Sequence, residues 1–295
     1  ILENKRLNIK NVWINNPTRK IYQDLNKVYG EKIEQIMEPL KSIDLEVLKS
    51  ISMNFSNNII GQPNVCRKLL TALYSLTKPN RERPVSLLFL GDSGVGKTET
   101  AKLINTYMDG KMVRVQCSMY QTAEAFKYIF GGEHGEDSLA RELIRRESNV
   151  ILLDEFDKVY PLFYNAFYQM LDEGKFVDKN YEVDVSDCII ICTSNFKTEK
   201  EAKKVLGMPI YSRFSKMILF DQISIGDKLK IASINYSKLF SNLSKEDQAL
   251  IKDNRVLEKF NHHIKNGVYR NMRILKNDIE EALNYEILKK RGIIK

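Results

Sequence analysis

Eight consecutive residues, Gly91-Asp92-Ser93-Gly94-Val95-Gly96-Lys97-Thr98, constrain this chain more than any other feature. They match G-x-x-x-x-G-K-[ST], which ordinary residue usage would produce by accident in a chain of 295 residues roughly once in a hundred cases. An apolar run of strand length, Val85 to Leu90, precedes them, and a helical stretch, Thr98 to Tyr107, follows. A strand, a glycine-rich turn and a helix in that order form a phosphate cradle. The glycines let successive backbone N–H groups turn inward, and the helix N-terminus adds its partial positive charge. Lys97 is placed to reach the β- and γ-phosphates of a nucleotide and the Thr98 hydroxyl to hold Mg²⁺. Glu99 follows in the first helical turn and joins the candidate binding set.

A second apolar run, Val150-Ile151-Leu152-Leu153, ends in Asp154-Glu155. A buried strand has no packing reason to end in two carboxylates. Beside a phosphate loop, Asp154 suits the Mg²⁺ shell, and Glu155 suits polarisation of a water for in-line attack on the γ-phosphate. A third run, Ile189 to Cys192, ends in Thr193-Ser194-Asn195, where the Asn195 amide could orient that water.

From Ile59 onward, apolar strand-like runs (Val85–Leu90, Met112–Cys117, Val150–Leu153, Cys188–Cys192, Met217–Phe220) alternate with helical stretches. That alternation predicts an α/β fold, a parallel sheet sandwiched by crossover helices. After about Ile223 the strands stop. Asp227–Phe240, Ser244–Ile264 and Tyr269–Lys290 read as amphipathic helices, a small all-helical domain. Residues 1–58 hold helical periodicity around Ile33–Met37 and from Asp44 to Ile51, and read as a helical N-terminal extension or linker. The expected division is thus 1–58, an α/β nucleotide-binding domain over 59–222 and a helical lid over 223–295.

Composition removes whole classes. With 43% hydrophobic and 28% charged residues the chain is neither low-complexity nor wholly disordered. Its apolar runs are far too short for a membrane span. The chain opens on Ile1 without a cationic-plus-apolar leader, so the expectation is a fragment with no secretory signal. Cys66, Cys117, Cys188 and Cys192 form no Cys-x-x-Cys pair and histidines number three, which argues against zinc or a disulfide framework and for buried free thiols in a reducing, cytoplasmic setting. The net charge of +8 fits nucleic acid or acidic partners, but the charges are dispersed.

Taken together these motifs resemble the AAA+ ATPases, and more narrowly the second ATPase module of the Clp-type unfoldases and disaggregases, from about Ile59 to Leu288. The resemblance implies a P-loop NTPase fold with a helical lid, hydrolysis of ATP with Mg²⁺, and a homo-oligomer, ring or helical, with a hexamer favoured. It makes Gly91–Thr98 the Walker A loop, Asp154-Glu155 the Walker B pair and Asn195 the sensor 1 residue. Ile59-Ile60-Gly61-Gln62 is similar to the segment that packs on adenine, with Ile60 and Gly61 as contacts. Within Gly207-Met208-Pro209-Ile210-Tyr211-Ser212-Arg213-Phe214, Arg213 falls where the arginine finger lies, acting in trans on a neighbouring subunit. Within Gly267-Val268-Tyr269-Arg270-Asn271-Met272-Arg273, Arg270 is similar to the sensor 2 arginine.

One departure bears on function. Clp unfoldases carry a Gly-aromatic-Val-Gly pore loop between the second strand and Walker B. Here Ser118-Met119-Tyr120 and Tyr128–Gly131 match its approach, but only Gly132-Glu133-His134-Gly135-Glu136-Asp137-Ser138 stands between them and the next helix. The segment is short and acidic, and Tyr128 and Phe130 are expected to face the core. The helical stripe of Tyr160, Tyr164, Phe167, Tyr168 and Leu171 is expected to pack in the core or a subunit interface. The leading expectation is ATP-driven remodelling of a protein partner. A nucleic-acid-associated AAA+ ATPase, of helicase-loader, defence or mobile-element type, stays open on the charge, the missing aromatic loop and the basic residues Lys265, Arg270, Arg273, Lys276, Lys289, Lys290 and Arg291. So does a nucleotide-gated scaffold whose slow hydrolysis times assembly.

Overall fold

Each apolar run that the sequence marks as a strand becomes one, and all of them pair in parallel. The computed structural model describes residues 11–36, 38–79, 83–120, 123–133, 135–251 and 255–295. In chain order the helices and strands are α1 (Arg19–Tyr29), α2 (Leu45–Asn58), α3 (Pro63–Leu73), β1 (Val85–Leu90), α4 (Lys97–Thr106), β2 (Val113–Gln116), α5 (Ala123–Phe130), α6 (Leu139–Ile144), β3 (Val150–Asp154), α7 (Tyr164–Asp172), β4 (Lys175–Val177), β5 (Glu182–Asp184), β6 (Ile189–Thr193), α8 (Glu199–Leu206), α9 (Met208–Tyr211), β7 (Lys216–Leu219), α10 (Ile225–Ser241), α11 (Lys245–Leu250), α12 (Arg255–Lys265) and α13 (Met272–Lys290).

The main sheet has the order β2-β3-β6-β1-β7, which sets β1 between β6 and β7 and puts β3 two places away. Alternation along each strand divides the core in two. Val85, Leu87, Phe89, Leu152 and Ile191 face one layer with α2, α3, α4 and the C-terminal helices. Leu88, Leu90, Val115, Leu153, Ile190 and Cys192 face the other with α5 to α9. Strands β1, β3 and β6 are buried along their whole length, as a parallel sheet covered on both faces requires. All four cysteines are free; Cys117, Cys188 and Cys192 are buried, and burial raises their thiols, Cys188 to about 12.

Four features depart from the sequence expectation. Residues 33–36 are not helical, Met37 and residues 1–10 lie outside the described residues, and the helix of this region is α1, capped by Thr18. Helix α2 contributes Val47, Leu48, Ile51 and Phe55 to the core shared with α4, so residues 45–58 pack as part of the nucleotide-binding layer. The stretch expected as one helix over Ser244–Ile264 is two, because Ser244 caps a short α11 and the chain restarts at α12. Strands β4 and β5 form an antiparallel hairpin absent from the sequence reading; Asp178 Oδ1 closes its turn by accepting from the backbone N–H of Asn180 (2.7 Å) and Tyr181 (2.6 Å).

Tyr120 and Tyr128 stack at 4.3 Å, and Tyr128 and Phe130 are half-buried against the second core layer. His134, within the acidic segment that follows them, lies outside the described residues. Tyr164, Phe167 and Leu171 of the aromatic stripe are buried, whereas Tyr160 is exposed.

Candidate functional site

Because the strands are parallel, β1, β3 and β6 all finish at one edge of the sheet. There a cleft of about 870 Å³ opens between the sheet, α4 and the C-terminal helices. Its wall includes Ile60, Ser93 to Glu99, Asp154, Glu155 and Asn195. These were marked from separate parts of the sequence, and the fold brings them together.

The phosphate loop has the backbone its sequence implies. Gly94 and Gly96 hold φ of 82° and 106°, open to glycine and costly for residues with a Cβ. At Gly94 a Cβ would also meet the Asn271 side-chain oxygen, so a larger residue there would push the α13 cap aside. Lys97 is buried, and its Nζ donates to the carbonyls of Gly91 (2.6 Å) and Asp92 (2.7 Å) across the loop. Burial pulls its pKa down to about 8, against the opposing pull of the Asp157, Asp92 and Asp154 carboxylates.

Asp154 is the hub of the cleft floor. Its Oδ1 accepts from the hydroxyls of Thr193 (2.5 Å) and Thr98 (3.4 Å), and its Oδ2 accepts from Arg114 Nη2 at 2.6 Å. Register explains the first contact: Leu153 pairs with Cys192, so the next residues, Asp154 and Thr193, meet at the strand ends. Thr193 Oγ1 also accepts from the backbone N–H of Glu155 at 2.9 Å. That bond helps hold Glu155 in the left-handed region, φ 57° and ψ 46°, a conformation costing a non-glycine residue about 1–2 kcal/mol. Asn195 is exposed on the cleft wall just past β6.

The segment before α3 lies over the loop. Gln62 is buried, and its amide grips Asp221, donating to the carbonyl (2.7 Å) and accepting from the N–H (3.0 Å). Gly61 packs against Asp227 at the start of α10. Asn57, Asn58, Ile59 and Ile60 line the cleft together with Ile231, Ile234, Asn235 and Lys238, a mixed apolar and polar lining.

Two expected arginines lie outside this cleft wall. Arg213 sits at the opposite edge of the sheet, where Ser86 Oγ at the start of β1 donates to its carbonyl (2.9 Å). Its guanidinium donates to the Pro209 carbonyl (2.5 Å) and lies 4.5 Å from the Tyr168 ring centre. The length of β1, roughly 17 Å at 3.3 Å per residue, separates that edge from the phosphate loop. Arg270 is exposed, one residue before the α13 cap Asn271, and the cleft wall instead takes Arg273 and Lys276 from the first turns of that helix. The reason is the cap: Asn271 lies against Gly94, so it is the turn after the cap that borders the loop.

Sequence reasoning missed Arg114 and Thr193 as site residues. Arg114 interrupts the apolar pattern of β2, and Thr193 ends β6 with a hydroxyl; both signals are visible, but their shared target is set by strand order. The Glu155 conformation makes a testable statement. In urea unfolding, Glu155→Gly should be more stable than Glu155→Ala by about 1 kcal/mol, reversing the usual order of these residues. Equal stability, or Ala above Gly, would contradict the strain.

The family model for the AAA domain (Cdc48 subfamily) matches residues 82–259, more than half of the chain. The ClpB chaperone of Staphylococcus epidermidis is 32% identical over 238 residues, covering 75% of this chain and 27% of that protein. The ClpB chaperone of Helicobacter hepaticus is 29% identical over 243 residues, covering 71% and 27%. Among solved structures, the extended S. cerevisiae Hsp104:casein complex aligns with TM-score 0.66 and 25% identity, over 91% of this chain and 52% of that one. The closed Hsp104 structure with ATPγS and FITC casein aligns with TM-score 0.67, over 83% and 48%. The chain therefore spans about a quarter of the length of its ClpB relatives and about half of the Hsp104 chain. A family match that runs through the phosphate loop and the Asp154 strand makes this chain a member of the AAA domain family of ATPases (Cdc48 subfamily), similar in sequence to ClpB and in fold to Hsp104.

Proposed function

We propose that this chain is the ATP-hydrolysing module of an oligomeric, cytoplasmic machine that remodels protein partners. The observation that carries the reading is the convergence of Lys97, Thr98, Asp154 and Glu155 at one edge of the sheet, at the N-terminus of α4. The ClpB chaperones and the casein-bound Hsp104 structures support a protein partner, the resemblance to Clp-type modules implies a homo-oligomer, and the three buried unbridged thiols fit a reducing compartment. Division of the chain into 1–58, 59–222 and 223–295 belongs to the same proposal, with α2 reaching from the first segment into the core of the second.

In this reading the loop N–H groups and Lys97 bind the phosphates, while Ile60, Gly61 and the apolar cleft wall receive the base. Thr98 and Asp154 offer hard oxygen donors, the chemistry Mg²⁺ takes, with substrate phosphates completing the shell. Among the described residues no cluster of three or more His, Cys, Asp or Glu could hold a metal by itself. Bound Mg²⁺ would neutralise charge on the β- and γ-phosphates. Glu155 takes the proton of the attacking water and Asn195 orients it. Arg270, one residue before the α13 cap that lies against Gly94, takes the cis phosphate contact that the resemblance implies, with Arg273 beside it on the cleft wall. Arg213, a sheet length from its own cleft, completes the cleft of a neighbouring subunit.

The nucleic-acid alternative loses ground from its own residues. Arg273 and Lys276 line the cleft, and Arg291 pairs with Asp247 (2.7 Å) and Glu246 (3.6 Å).

Mixed subunits test the in-trans role. Arg213→Ala and Lys97→Ala proteins should each be nearly inactive, yet their mixture should recover part of the ATPase rate, because each lacks a different half of a shared site. A mixture no more active than either parent would contradict it. The Lys97 environment sets a pH dependence. Phosphate binding favours the charged ammonium, so the bound pKa exceeds the free value of about 8. Below pH 8 this group leaves ATP affinity flat. Above it affinity should fall by up to about tenfold per pH unit, with proton uptake on binding. Calorimetry at pH 7, 8 and 9 in buffers of differing ionisation enthalpy measures both; constant affinity with no proton uptake would contradict the assignment.

A further inference from the structure

Three side chains, Thr98, Thr193 and Arg114, bond the Asp154 carboxylate, and one of them is a cation. Arg114, on β2, reaches across to Asp154 Oδ2 at 2.6 Å, while Thr98, the other candidate metal-binding residue, bonds Oδ1. The Asp154 side chain is 9% exposed and that of Arg114 is 45% exposed, so the carboxylate is sheltered and the guanidinium borders the cleft. Val113 and Val115, on either side of Arg114, are buried in the opposite layer, which leaves Arg114 and Gln116 together on the cleft side of β2.

A guanidinium is permanently charged and planar, and it competes with a divalent cation for the same carboxylate oxygens while repelling it. We propose that Arg114 is a cation surrogate at Asp154: it neutralises the carboxylate, a divalent ion must displace it to coordinate there, and the competition favours entry of metal together with nucleotide over metal alone. The chelating phosphates add the ligands that let the ion win. The freed guanidinium, still bordering the cleft, becomes a donor to phosphate oxygen. This inference rests on the reading of Thr98 and Asp154 as the metal-binding pair. It makes Arg114 a positioning residue for the metal, acting through Asp154.

The test is electron paramagnetic resonance of Mn²⁺, a spin-active stand-in for Mg²⁺, titrated into the full chain with and without ADP. Arg114→Gln should bind Mn²⁺ at least fivefold more tightly than the unaltered protein without ADP, with a smaller gain in its presence. Arg114→Lys, which keeps a charge on a shorter, non-planar reach, should fall between them. Lys102→Gln removes another cleft cation, one paired with Glu99 (2.7 Å), and should leave Mn²⁺ affinity unchanged. Equal or weaker Mn²⁺ binding by Arg114→Gln would overturn the proposal, as would an equal gain from Lys102→Gln, which would reduce the effect to general electrostatics. If Arg114→Gln fails to fold, as judged by circular dichroism, the Lys variant decides by the same comparison. Asp154→Asn separates the two layers of argument: it should weaken Mn²⁺ binding with ADP present. If it does not, the metal assignment itself fails, independently of Arg114.

Discussion

A parallel sheet ends all its strands at one edge, and this molecule uses that constraint to build its site. The carboxylate that finishes β3, the hydroxyl that finishes β6 and the glycine loop that finishes β1 reach the same level because their strands pair in register. The hydrogen bonds around Asp154 follow from that geometry. Thr193 bonds both Asp154 and the Glu155 N–H, so one side chain fixes the candidate metal-binding carboxylate and the strained candidate base together. A shift of register by one residue would turn every one of these side chains to the other face.

The cleft gains its second wall from the C-terminal helices. Asn271 caps α13 directly against Gly94, Lys228 Nζ donates to the Tyr269 carbonyl (2.9 Å), and Gln62 clasps Asp221 where the sheet hands over to α10. The phosphate loop, the segment before α3 and the C-terminal helices thus touch through a few polar contacts over a continuous apolar core. A change in phosphate occupancy at the loop would be felt first at the α13 cap, the physical route by which nucleotide state could move the lid.

Much of this was legible in the sequence because the informative residues are local. Gly91–Thr98, Asp154-Glu155 and Asn195 each end an apolar run, and a strand end is readable without knowing which strand is its neighbour. Arg114 and Arg273 were not legible for the opposite reason. The role of Arg114 depends on β2 lying beside β3, and the place of Arg273 depends on where α13 begins relative to Gly94. Short elements also escaped: β4 and β5 have three residues each, too few for periodicity to register, and the Asp178 turn that joins them acts through side-chain bonds. Helix α2 was visible as a helix, but its burial against α4 is a tertiary fact.

Every role assigned to the cleft depends on triphosphate binding at the start of α4 with Lys97 as the charged partner. The most direct measurement is calorimetric titration of ATPγS with Mg²⁺ into the unaltered chain and into Lys97→Ala at pH 7. Saturable binding by the first, weakened about a hundredfold or more in the second, is the expected result, since a buried charge-assisted contact is worth about 3 kcal/mol. No binding by the unaltered chain at millimolar nucleotide, or equal affinity in the two proteins, would contradict it.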